Sequence, residues 1–407
     1  MNIYLIAKKL SHSFSKPIHN ELADYSYEYK ELQEHELEEF FAEKKFDGLN
    51  VTIPYKQAVM EFMDEISPEA QRIGAVNTVV NRGGKLFGYN TDYYGFSYEI
   101  KGSGAKIKGK DVVVLGNGGA AKTVVCVLED KGAKSVRVAT SAELRAGNIE
   151  KYTDAQVIVN ATPVGMFPNN GTAVVNIGDF PKCEAVLDLI YNPSKTQLIL
   201  DAEKKGLKTA NGLSMLVAQA KRACEIFTDS RIKDCRIARI RKLIEKQTKN
   251  IVLIGMPGSG KSTVGKYLAE KMGREFFDCD EEISKRGESP AELIEKYGEE
   301  HFRKIESDVL SELCKKSGIV IATGGGAVTK ERNYDIIHQN ATVVFIERAL
   351  ERLATKGRPL SQGGIEKLQK MYEVRRPLYR KFSHFSVKSQ RTWQQTTGLI
   401  IKKLNKG

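Results

Sequence analysis

Long apolar runs are absent from this sequence, and their absence excludes a helical membrane protein. No stretch approaches the roughly 18 consecutive apolar residues that a membrane-spanning helix needs. The opening stretch, MNIYLIAKKL, holds only a short apolar run before two lysines, which predicts a strand and not a signal peptide. We therefore expect no membrane partner.

Paired cysteines are missing as well. The six cysteines are scattered along the chain without a C-x-x-C pair and without the spacing of metal ligands. Unpaired thiols of this kind are typical of a reducing compartment. The sequence thus predicts a cytoplasmic protein.

Acidic residues are outnumbered by basic ones. Asp and Glu total 51 and Lys and Arg total 63, so the formal net charge is +12. Such a surface attracts small anions and also permits nonspecific contact with nucleic acid. Because no nucleic-acid-binding module is recognisable, we expect small-molecule substrates and no nucleic acid. The sequence leaves a monomer and a homodimer both open.

The sequence does contain several short β-branched runs that end in glycine. The three clearest are DVVVLGNGG at 111–119, AQVIVNATPVG at 155–165 and NIVLIGMPG at 250–258. Continuous runs of this kind are typical of strands buried on both faces, in a parallel sheet that helices cover. The predicted fold class is therefore α/β.

One main domain boundary is predicted near residue 249. The segment from Cys224 to Asn250 carries isoleucines and a leucine at roughly helical spacing among many basic residues, which predicts an amphipathic helix. The QTKN stretch at the end of this helix is the natural linker. A length of 407 residues agrees with two or three domains, at about 150 residues each.

A phosphate-binding loop opens the second half. GMPGSGKST, which begins at Gly255, satisfies G-x-x-x-x-G-K-[ST], with a strand-like run before it and a helix-like run after it. In such a loop the backbone N–H groups face the phosphates, a lysine neutralises them, and a hydroxyl can ligate Mg²⁺. The residues that we expect to contact ATP are Gly258, Ser259, Gly260, Lys261, Ser262 and Thr263.

Residue types suited to a small acidic acceptor follow the loop. In FFDCDEEI, Asp278 and Asp280 would face the same side of a strand. One carboxylate could then bind the metal, and the other could accept a proton from a hydroxyl group. The triple glycine at 324–326 permits close approach of a ligand. Arginines pair bidentately with carboxylates, so the expected readers of the acid group are among Arg303, Arg358, Arg375 and Arg376.

Residues 250–386 resemble the shikimate kinase family. The P-loop, D-x-D, F-R-x-x-E, G-G-G, R-P-L and R-x-P-L-Y motifs of that family occur in order. The resemblance implies a P-loop kinase with a parallel sheet, similar to nucleoside monophosphate kinases, that uses ATP and Mg²⁺. It implies that Asp280 is the catalytic base, that Ser262 and Asp278 hold the metal, and that Arg358 closes over ATP. The implied shikimate contacts are Asp280, Arg303, Gly324, Gly325, Gly326 and Arg375.

A second glycine pattern lies in the first half. GNGGAA, from Gly116 to Ala121, follows a strand-like run and opens a predicted helix, which is the G-x-G-x-x-A form of a dinucleotide site. Three polar clusters precede it, SHSFSKPIHN at 11–20, GLNVTIPYKQAV at 48–59 and GYNTDYYG at 88–95. Their hydroxyls and amides suit a polyhydroxylated ligand, whereas each cluster alone is explained equally well by caps, turns and a surface lysine.

Taken together, these motifs resemble the shikimate dehydrogenase family over residues 1–248. The resemblance implies a two-lobed α/β dehydrogenase with a substrate lobe at 1–104 plus 212–248 and a Rossmann-type NADP-binding lobe at 105–211, ahead of the kinase at 249–407. The matching motifs are S-x-S, N-V-T-x-P-x-K, G-A-V-N-T, N-T-D, G-x-G-G-A, N-A-T-P-x-G-M, D-x-x-Y-x-P-x-x-T and G-x-x-M-L-x-x-Q.

The same resemblance implies roles for individual residues. Lys56 delivers a proton to the ketone oxygen of 3-dehydroshikimate as the nicotinamide gives hydride, and Asp92 holds Lys56 in place. The implied shikimate ligands are Ser13, Ser15, Asn50, Thr52, Lys56, Asn77, Asp92 and Gln219. The implied cofactor contacts are Gly116, Asn117, Gly118, Gly119, Ala120, Thr140, Arg145, Thr162, Tyr191, Gly212 and Met215.

Departures from the two family patterns affect the cofactor and the lid. After the second nucleotide-binding strand the chain reads VRVATSAELRAG in place of Asn-Arg-Thr, and we identify no acidic residue there that would favour NAD. Arg145 is the expected replacement, which favours NADP(H). Ala7 and the FTD stretch at 227–229 also differ, and we expect only small packing changes. The kinase segment KGRPLSQGG is shorter and richer in glycine than is usual, and Lys356 is the candidate second lid cation.

Other functions stay open at this stage. A quinate dehydrogenase joined to a gluconate-type kinase shares the broad pattern, but the S-x-S, D-C-D and G-G-G motifs argue against it. A regulatory module that senses shikimate would not need Lys56 and Asp92, and nucleic-acid binding depends only on the net charge and the basic helix at 231–249. The favoured function is a bifunctional enzyme that makes shikimate and then shikimate 3-phosphate, on the route to chorismate and the aromatic amino acids.

Overall fold

The computed structural model describes residues 1–10, 13–353 and 364–405. The chain divides into two compact units, one of Met1–Tyr191 with Thr196–Ile244 and one of Asn192–Lys195 with Glu245–Gly407. Both units have α/β architecture, which confirms the predicted fold class.

The first lobe of unit 1 is built on a mixed sheet. Strand order is β2-β1-β3-β5-β6-β4, with β1 parallel to β2 and β3, and with β5 antiparallel to β3 and β6. The elements are β1 (Asn2–Ala7), α1 (Ser15–Leu22), β2 (Ser26–Glu31), α2 (Leu37–Glu43), β3 (Gly48–Val51), β4 (Glu65–Ile66), α3 (Pro68–Ile73), β5 (Thr78–Arg82), β6 (Lys85–Tyr89) and α4 (Asp92–Ser103).

The second lobe of unit 1 is a parallel sheet in the order β11-β10-β9-β7-β8. Its central strands are the apolar runs noted in the sequence, and they are buried on both faces. The elements are β7 (Asp111–Leu115), α5 (Gly119–Asp130), β8 (Ser135–Ala139), α6 (Ser141–Arg145), β9 (Val157–Asn160), β10 (Ala185–Asp188), α7 (Gln197–Lys204) and β11 (Lys208–Asn211).

Two further helices complete unit 1 and lead into unit 2. Helix α8 (Leu213–Thr228) packs on α4 and α1 of the first lobe, so the chain returns there after β11. Helix α9 (Cys235–Thr248) has the predicted amphipathic form, because Ile237, Ile240 and Ile244 are buried.

Unit 2 is a parallel sheet in the order β13-β14-β12-β15-β16, with helices on both faces. The loop after the central strand β12 is the predicted phosphate-binding loop. The elements are β12 (Asn250–Ile254), α10 (Lys261–Met272), β13 (Phe276–Asp278), α11 (Cys279–Ser284), α12 (Pro290–Tyr297), α13 (Glu299–Cys314), β14 (Val320–Ala322), α14 (Arg332–His338), β15 (Ala341–Glu347), α15 (Gly364–Phe382), β16 (Phe385–Lys388) and α16 (Trp393–Leu404).

All six cysteines lie in the described part of the chain, and each is unpaired. None of the helices in the described residues combines the length and the apolar character that crossing a membrane requires.

Candidate active sites

The first candidate site is a cavity of about 780 Å³ in unit 1. It lies where β1 and β3 end and where α4 and α8 begin, which is where the carboxyl ends of parallel strands bring loops together. Residues from distant parts of the sequence meet here. The predicted residues that line it are Ser13, Ser15, Asn50, Thr52, Lys56, Asn77, Asp92, Ala120, Tyr191, Gly212, Met215 and Gln219.

An ion pair between Lys56 and Asp92 is the charged centre of this cavity. Lys56 Nζ lies 2.6 Å from Asp92 Oδ2, and both side chains are mostly buried, with 22% and 12% exposed. The backbone holds Lys56, since its carbonyl accepts the N–H of Val76 at 2.7 Å. Asp92 opens α4, where the helix dipole favours a negative charge. The ammonium group is thus fixed at the cavity wall.

Two buried asparagines beside the ion pair are oriented by protein hydrogen bonds. Asn77 Oδ1 accepts from Thr91 N at 2.7 Å and lies 3.0 Å from Thr78 Oγ1, which leaves its Nδ2 to donate to a ligand. Asn50 Oδ1 accepts from the Tyr27 hydroxyl at 3.0 Å, and its Nδ2 donates to Thr78 Oγ1. Asn77 is thus poised to contact a ligand, whereas the hydrogen bonds of Asn50 go to protein atoms.

The glycine turn of the second lobe is open on its ligand side. Gly116 has φ +97°, and a Cβ there would come within 2.8 Å of Thr162 Cγ2. A Cβ on Gly118 or Gly119, by contrast, would meet no protein atom within 4 Å. The N–H groups at the start of α5 are therefore accessible, as a pyrophosphate group requires, and the residues present fit a dinucleotide.

A hydrogen-bonded chain beneath that turn fixes the ends of β9 and β10. Asn160 Oδ1 accepts from Thr162 N (3.0 Å) and Oγ1 (2.7 Å), and Asn160 Nδ2 donates to Asp188. Asp188 also accepts from Thr196 Oγ1 at 2.6 Å, and burial raises the pKa of its carboxyl to about 6. The Thr162 hydroxyl therefore donates to a protein group, and its contact with the cofactor stays a prediction.

The segment after β8 contains an acidic residue, Glu143, which the sequence analysis did not consider. Thr140 is the N-cap of α6 and forms a capping box with Glu143, whose carboxylate also pairs with Lys151. The pKa of Glu143 falls to about 2, chiefly because of Lys151 and then because of Thr140. An acidic residue is thus present, but its oxygens are held by protein groups. Arg145 is exposed in the last turn of α6.

The sequence analysis missed two lysines in this first cavity. Lys8 and Lys9 directly follow β1, and both line the cavity. Two adjacent lysines after a strand predict only an exposed turn, so the sequence did not indicate a binding site there. The other predicted cofactor residues, Gly116, Asn117, Gly118, Gly119, Thr140, Arg145 and Thr162, lie outside the cavity, at the carboxyl edge of the second sheet.

The second candidate site is a cavity of about 920 Å³ in unit 2, next to the phosphate-binding loop. Glycines 255, 258 and 260 have φ of +148°, +80° and +91°, a backbone that only glycine adopts readily. Lys261 Nζ donates to the carbonyls of Gly255 and Met256 at 2.9 and 3.1 Å, which folds it over the loop. This geometry fits phosphate.

The single tryptophan of the chain packs on this loop. A Cβ at Gly260 would come within 2.6 Å of Trp393 Cζ3, so only glycine fits beneath the ring. The guanidinium carbon of Arg348 lies 4.8 Å from the centroid of the indole ring.

Asp278 and Asp280 are arranged differently from the prediction. They do not alternate along one strand, because β13 ends at Asp278 and Asp280 lies in the first turn of α11. Asp278 caps that helix by accepting the N–H of Asp280 at 3.0 Å, and its other oxygen accepts from Ser262 Oγ. Asp278 and Ser262 therefore offer two adjacent oxygens, which suits Mg²⁺ because it binds few protein ligands and shares phosphate oxygens. No larger group of possible metal ligands occurs among the described residues.

A buried ion pair of Arg303 and Glu306 lies on the other side of this second cavity. Arg303 Nη1 lies 2.7 Å from Glu306 Oε2, and Arg303 Nη2 lies 2.9 Å from Glu299. Burial raises the pKa of the Glu306 carboxyl, although Arg303 opposes the shift. Glu306 is the last residue of the F-R-x-x-E motif, but the sequence analysis assigned it no role, although its i+3 spacing from Arg303 was the available signal for an ion pair.

Protein neighbours by themselves require glycine in the triple-glycine turn. A Cβ on Gly325 would come within 2.6 Å of Pro257 Cγ, and one on Gly326 would overlap the guanidinium of Arg303. Gly325 O also accepts from Arg375 Nη1 at 3.2 Å. The triple-glycine turn thus contacts the phosphate-binding loop, Arg303 and Arg375.

Most predicted kinase residues meet in the second cavity. Ser259 is fully buried beneath the loop, and Arg358 and Lys356 lie outside the described residues. The predicted residues that line the cavity are Gly258, Gly260, Lys261, Ser262, Thr263, Asp278, Asp280, Arg303, Gly324, Gly325, Gly326 and Arg375.

Two family models match the chain. The model described as shikimate kinase matches residues 257–405. The model described as shikimate dehydrogenase substrate binding domain matches residues 5–79.

Curated relatives match the first part of the chain. The shikimate dehydrogenase (NADP(+)) of Clostridium beijerinckii is 35% identical over 266 residues, which is 60% of this chain and 98% of that relative. The shikimate dehydrogenase (NADP(+)) of Caldicellulosiruptor saccharolyticus is 40% identical over 256 residues, which is 56% of this chain and 92% of that relative.

Solved structures match the same part. A chorismate mutase/shikimate 5-dehydrogenase fusion protein from Clostridium acetobutylicum is 37% identical, with a TM-score of 0.56, and the match covers 60% of this chain and 97% of that one. Shikimate 5-dehydrogenase from Thermus thermophilus in complex with NADP(H) and shikimate is 32% identical, with a TM-score of 0.55, over 60% and 99% of the two chains.

Proposed function

Because the chain belongs to the shikimate dehydrogenase family and carries a shikimate kinase domain, we propose that it reduces 3-dehydroshikimate to shikimate with NADPH and phosphorylates shikimate with ATP. It is a bifunctional enzyme of the shikimate pathway. The observation that carries the proposal is that each unit has its own cavity with the required groups, the Lys56–Asp92 pair in one and the phosphate loop beside Asp280 in the other.

In the dehydrogenase, Lys56 is the proposed proton donor. When bound, NADPH would supply hydride to the ketone carbon. The Lys56 ammonium donates its proton to the ketone oxygen, so the product is an alcohol and the lysine becomes a neutral amine. Asp92, 2.6 Å away, holds the ammonium at the reacting oxygen. Asn77 Nδ2, Gln219 and the hydroxyls of Ser13 and Ser15 orient the ring by hydrogen bonds.

In the kinase, Asp280 is the proposed base. Its carboxylate accepts the proton of the shikimate hydroxyl as the hydroxyl oxygen forms a bond to the γ-phosphorus and the bond to the ADP oxygen breaks. Lys261 neutralises the phosphates, and Ser262 and Asp278 would hold Mg²⁺. Arg303 and Arg375 bind the substrate carboxylate.

We place the dehydrogenase at residues 1–248, with lobes at 1–104 plus 212–248 and at 105–211, and the kinase at 249–407. We also place the enzyme in the cytoplasm, a location that the six unpaired cysteines support.

A crossed pair of variants tests the two activities. Lys56→Met should lower dehydrogenase kcat by about a hundredfold or more because it removes the proton donor, and should leave kinase kcat unchanged. Asp280→Asn should do the reverse. Steady-state assays of both reactions on each purified variant provide the measurement, and each variant is the control for the other. A protein with neither activity, or a Lys56→Met variant with full reductase turnover, contradicts the proposal.

The cofactor preference has its own test. We propose that the exposed Arg145 pairs with the 2′-phosphate of NADP(H), because the Glu143 carboxylate is already engaged by Thr140 and Lys151. Arg145→Ala should raise KM for NADP⁺ about tenfold and leave KM for NAD⁺ unchanged. Arg82→Ala, an exposed arginine of the other lobe, is the matched control. Equal changes for both cofactors would exclude this role.

A further inference from the structure

The segment between β1 and α1 gives the dehydrogenase cavity two lysines that the proposed chemistry does not use. Lys8, Lys9, Leu10, Ser13 and Ser15 all line the cavity and all come from this segment. Both lysines are exposed, and within the described part of the chain neither has an ion pair or hydrogen bond from its amino group. Their charges are thus available to a ligand.

The charge of the cavity depends on these two lysines. Its other charged residues, Lys56 and Asp92, neutralise each other at 2.6 Å. Glu31 reaches this segment, where its Oε1 accepts the N–H of Leu10 at 2.7 Å, and its single negative charge does not offset both lysines. The cavity therefore has an excess positive charge, and a concave positive site attracts anions.

The position of the segment indicates which anion it meets. It follows β1 in the first sheet and carries Ser13 and Ser15, whereas the glycine turn that fits the pyrophosphate follows β7 in the second sheet. Hydroxyl groups alone donate hydrogen bonds to a carboxylate without neutralising it. Adjacent ammonium groups supply the missing charge.

We propose that Lys8 and Lys9 are specificity residues of the dehydrogenase, and that their ammonium groups select substrates that carry a carboxylate. This inference depends on the proposed dehydrogenase function. The lysines attract the acid group to the segment that bears Ser13 and Ser15, and they take no part in the hydride or proton transfer. The lysines contribute to the rate at which substrate associates and to its affinity. Salt weakens both effects because the lysines are exposed.

The test compares shikimate with its methyl ester, which has the same ring and hydroxyls but no charge. In the full-length double variant Lys8→Gln/Lys9→Gln, kcat/KM for shikimate with NADP⁺ should fall about tenfold, mostly through KM. The value for the methyl ester should barely change, and KM for NADP⁺ should stay the same. The decrease of kcat/KM for shikimate between about 0.05 and about 0.5 M salt should be smaller in the variant.

Two matched variants serve as controls. Lys8→Arg/Lys9→Arg keeps the charge and should retain the preference for the acid over the ester. Lys45→Gln/Lys85→Gln removes the same charge elsewhere in the same lobe and should leave both kcat/KM values unchanged. The inference is overturned if the acid and the ester lose activity equally, or if KM for NADP⁺ rises in place of KM for shikimate. A wild-type protein that oxidises neither compound would contradict the dehydrogenase function itself.

Discussion

At the scale of single residues, His19 illustrates how a buried group supports the site from a distance. Its ring stacks on Tyr27 at 4.0 Å between centroids, and its Nδ1 lies 2.5 Å from the Tyr25 hydroxyl. Tyr27 in turn donates to Asn50 at 3.0 Å. Burial lowers the pKa of His19 to about 3. The imidazole is therefore neutral in the folded protein.

This depressed pKa predicts a pH dependence of stability. The unfolded chain takes up a proton at His19 near pH 6.5 and the folded chain does not, so the contribution of His19 is present above pH 6.5 and is lost as the pH falls toward 3. Between pH 7.5 and 5 the loss is about 2 kcal/mol in the free energy of unfolding. In His19→Phe this part of the pH dependence should disappear.

Urea unfolding followed by circular dichroism, on the transition that NADP⁺ shifts, measures this effect. His35→Phe, at an exposed histidine of the same lobe, should keep the wild-type pH dependence. An unchanged slope in His19→Phe would show that His19 does not cause it.

The limits of sequence reasoning are also clearest for single residues. Lys56 and Asp92 were identified from their motifs, and they meet as expected. The hydroxyls of Thr140 and Thr162 bind Glu143 and Asn160, partners that a threonine motif does not reveal, and their contacts with the cofactor stay predictions. Lys8 and Lys9 were missed, since a lysine pair after a strand usually faces solvent.

At the scale of elements, the start of α8 is packed so closely that one added methyl group should disturb the site. A Cβ on Gly212 would overlap the carbonyl oxygen of Leu189, and α8 carries Met215 and Gln219 into the cavity. Gly212→Ala should therefore lower the free energy of unfolding by about 1–3 kcal/mol and raise KM for shikimate.

Gly102→Ala in α4 is the matched control. A Cβ there would meet no atom within 4 Å, so this variant should keep full activity and should be as stable as the wild type or more so. Thermal unfolding and dehydrogenase kinetics on both variants provide the comparison. Equal behaviour of the two alanine variants would contradict the packing argument.

Strands were predictable from the sequence where their apolar residues form a continuous run. Strands β7, β9 and β12 were predicted because they are short continuous apolar runs before glycine, which buried parallel strands require. Strand β13 is only Phe276–Asp278, and Asp278 ends it by capping α11. Sequence alone did not separate that strand from the helix, and so the two aspartates were placed on one strand.

At the scale of the whole molecule, the division into two compact units predicts two unfolding transitions. Each unit has its own buried core, so each ligand should stabilise only the unit that binds it. NADP⁺ at about 100 times its Kd should stabilise the first unit by about 2.7 kcal/mol, and a nonhydrolysable ATP analogue with Mg²⁺ should do the same for the second. Differential scanning calorimetry would show the increase in the Tm of each transition. A single transition whose Tm both ligands raise would contradict this expectation.

The order of the motifs made the whole molecule more predictable than any part. A lone glycine pattern is a weak signal, but the N-V-T-x-P-x-K, N-T-D and G-x-x-M-L-x-x-Q stretches, at 50–56, 90–92 and 212–219, all supply residues to one cavity. Physical reasoning about separate stretches does not establish such a meeting, because it depends on the topology of two sheets.

The packing of Trp393 against Gly260 has a practical consequence. Since the chain holds one tryptophan, its indole emission arises solely from Trp393, which opens α16 and packs against the phosphate-binding loop. We expect nucleotide that binds the loop to change the surroundings of the ring, which the guanidinium of Arg348 also contacts. The protein therefore carries a natural optical probe, with which ATP titrations can be followed by fluorescence without a label.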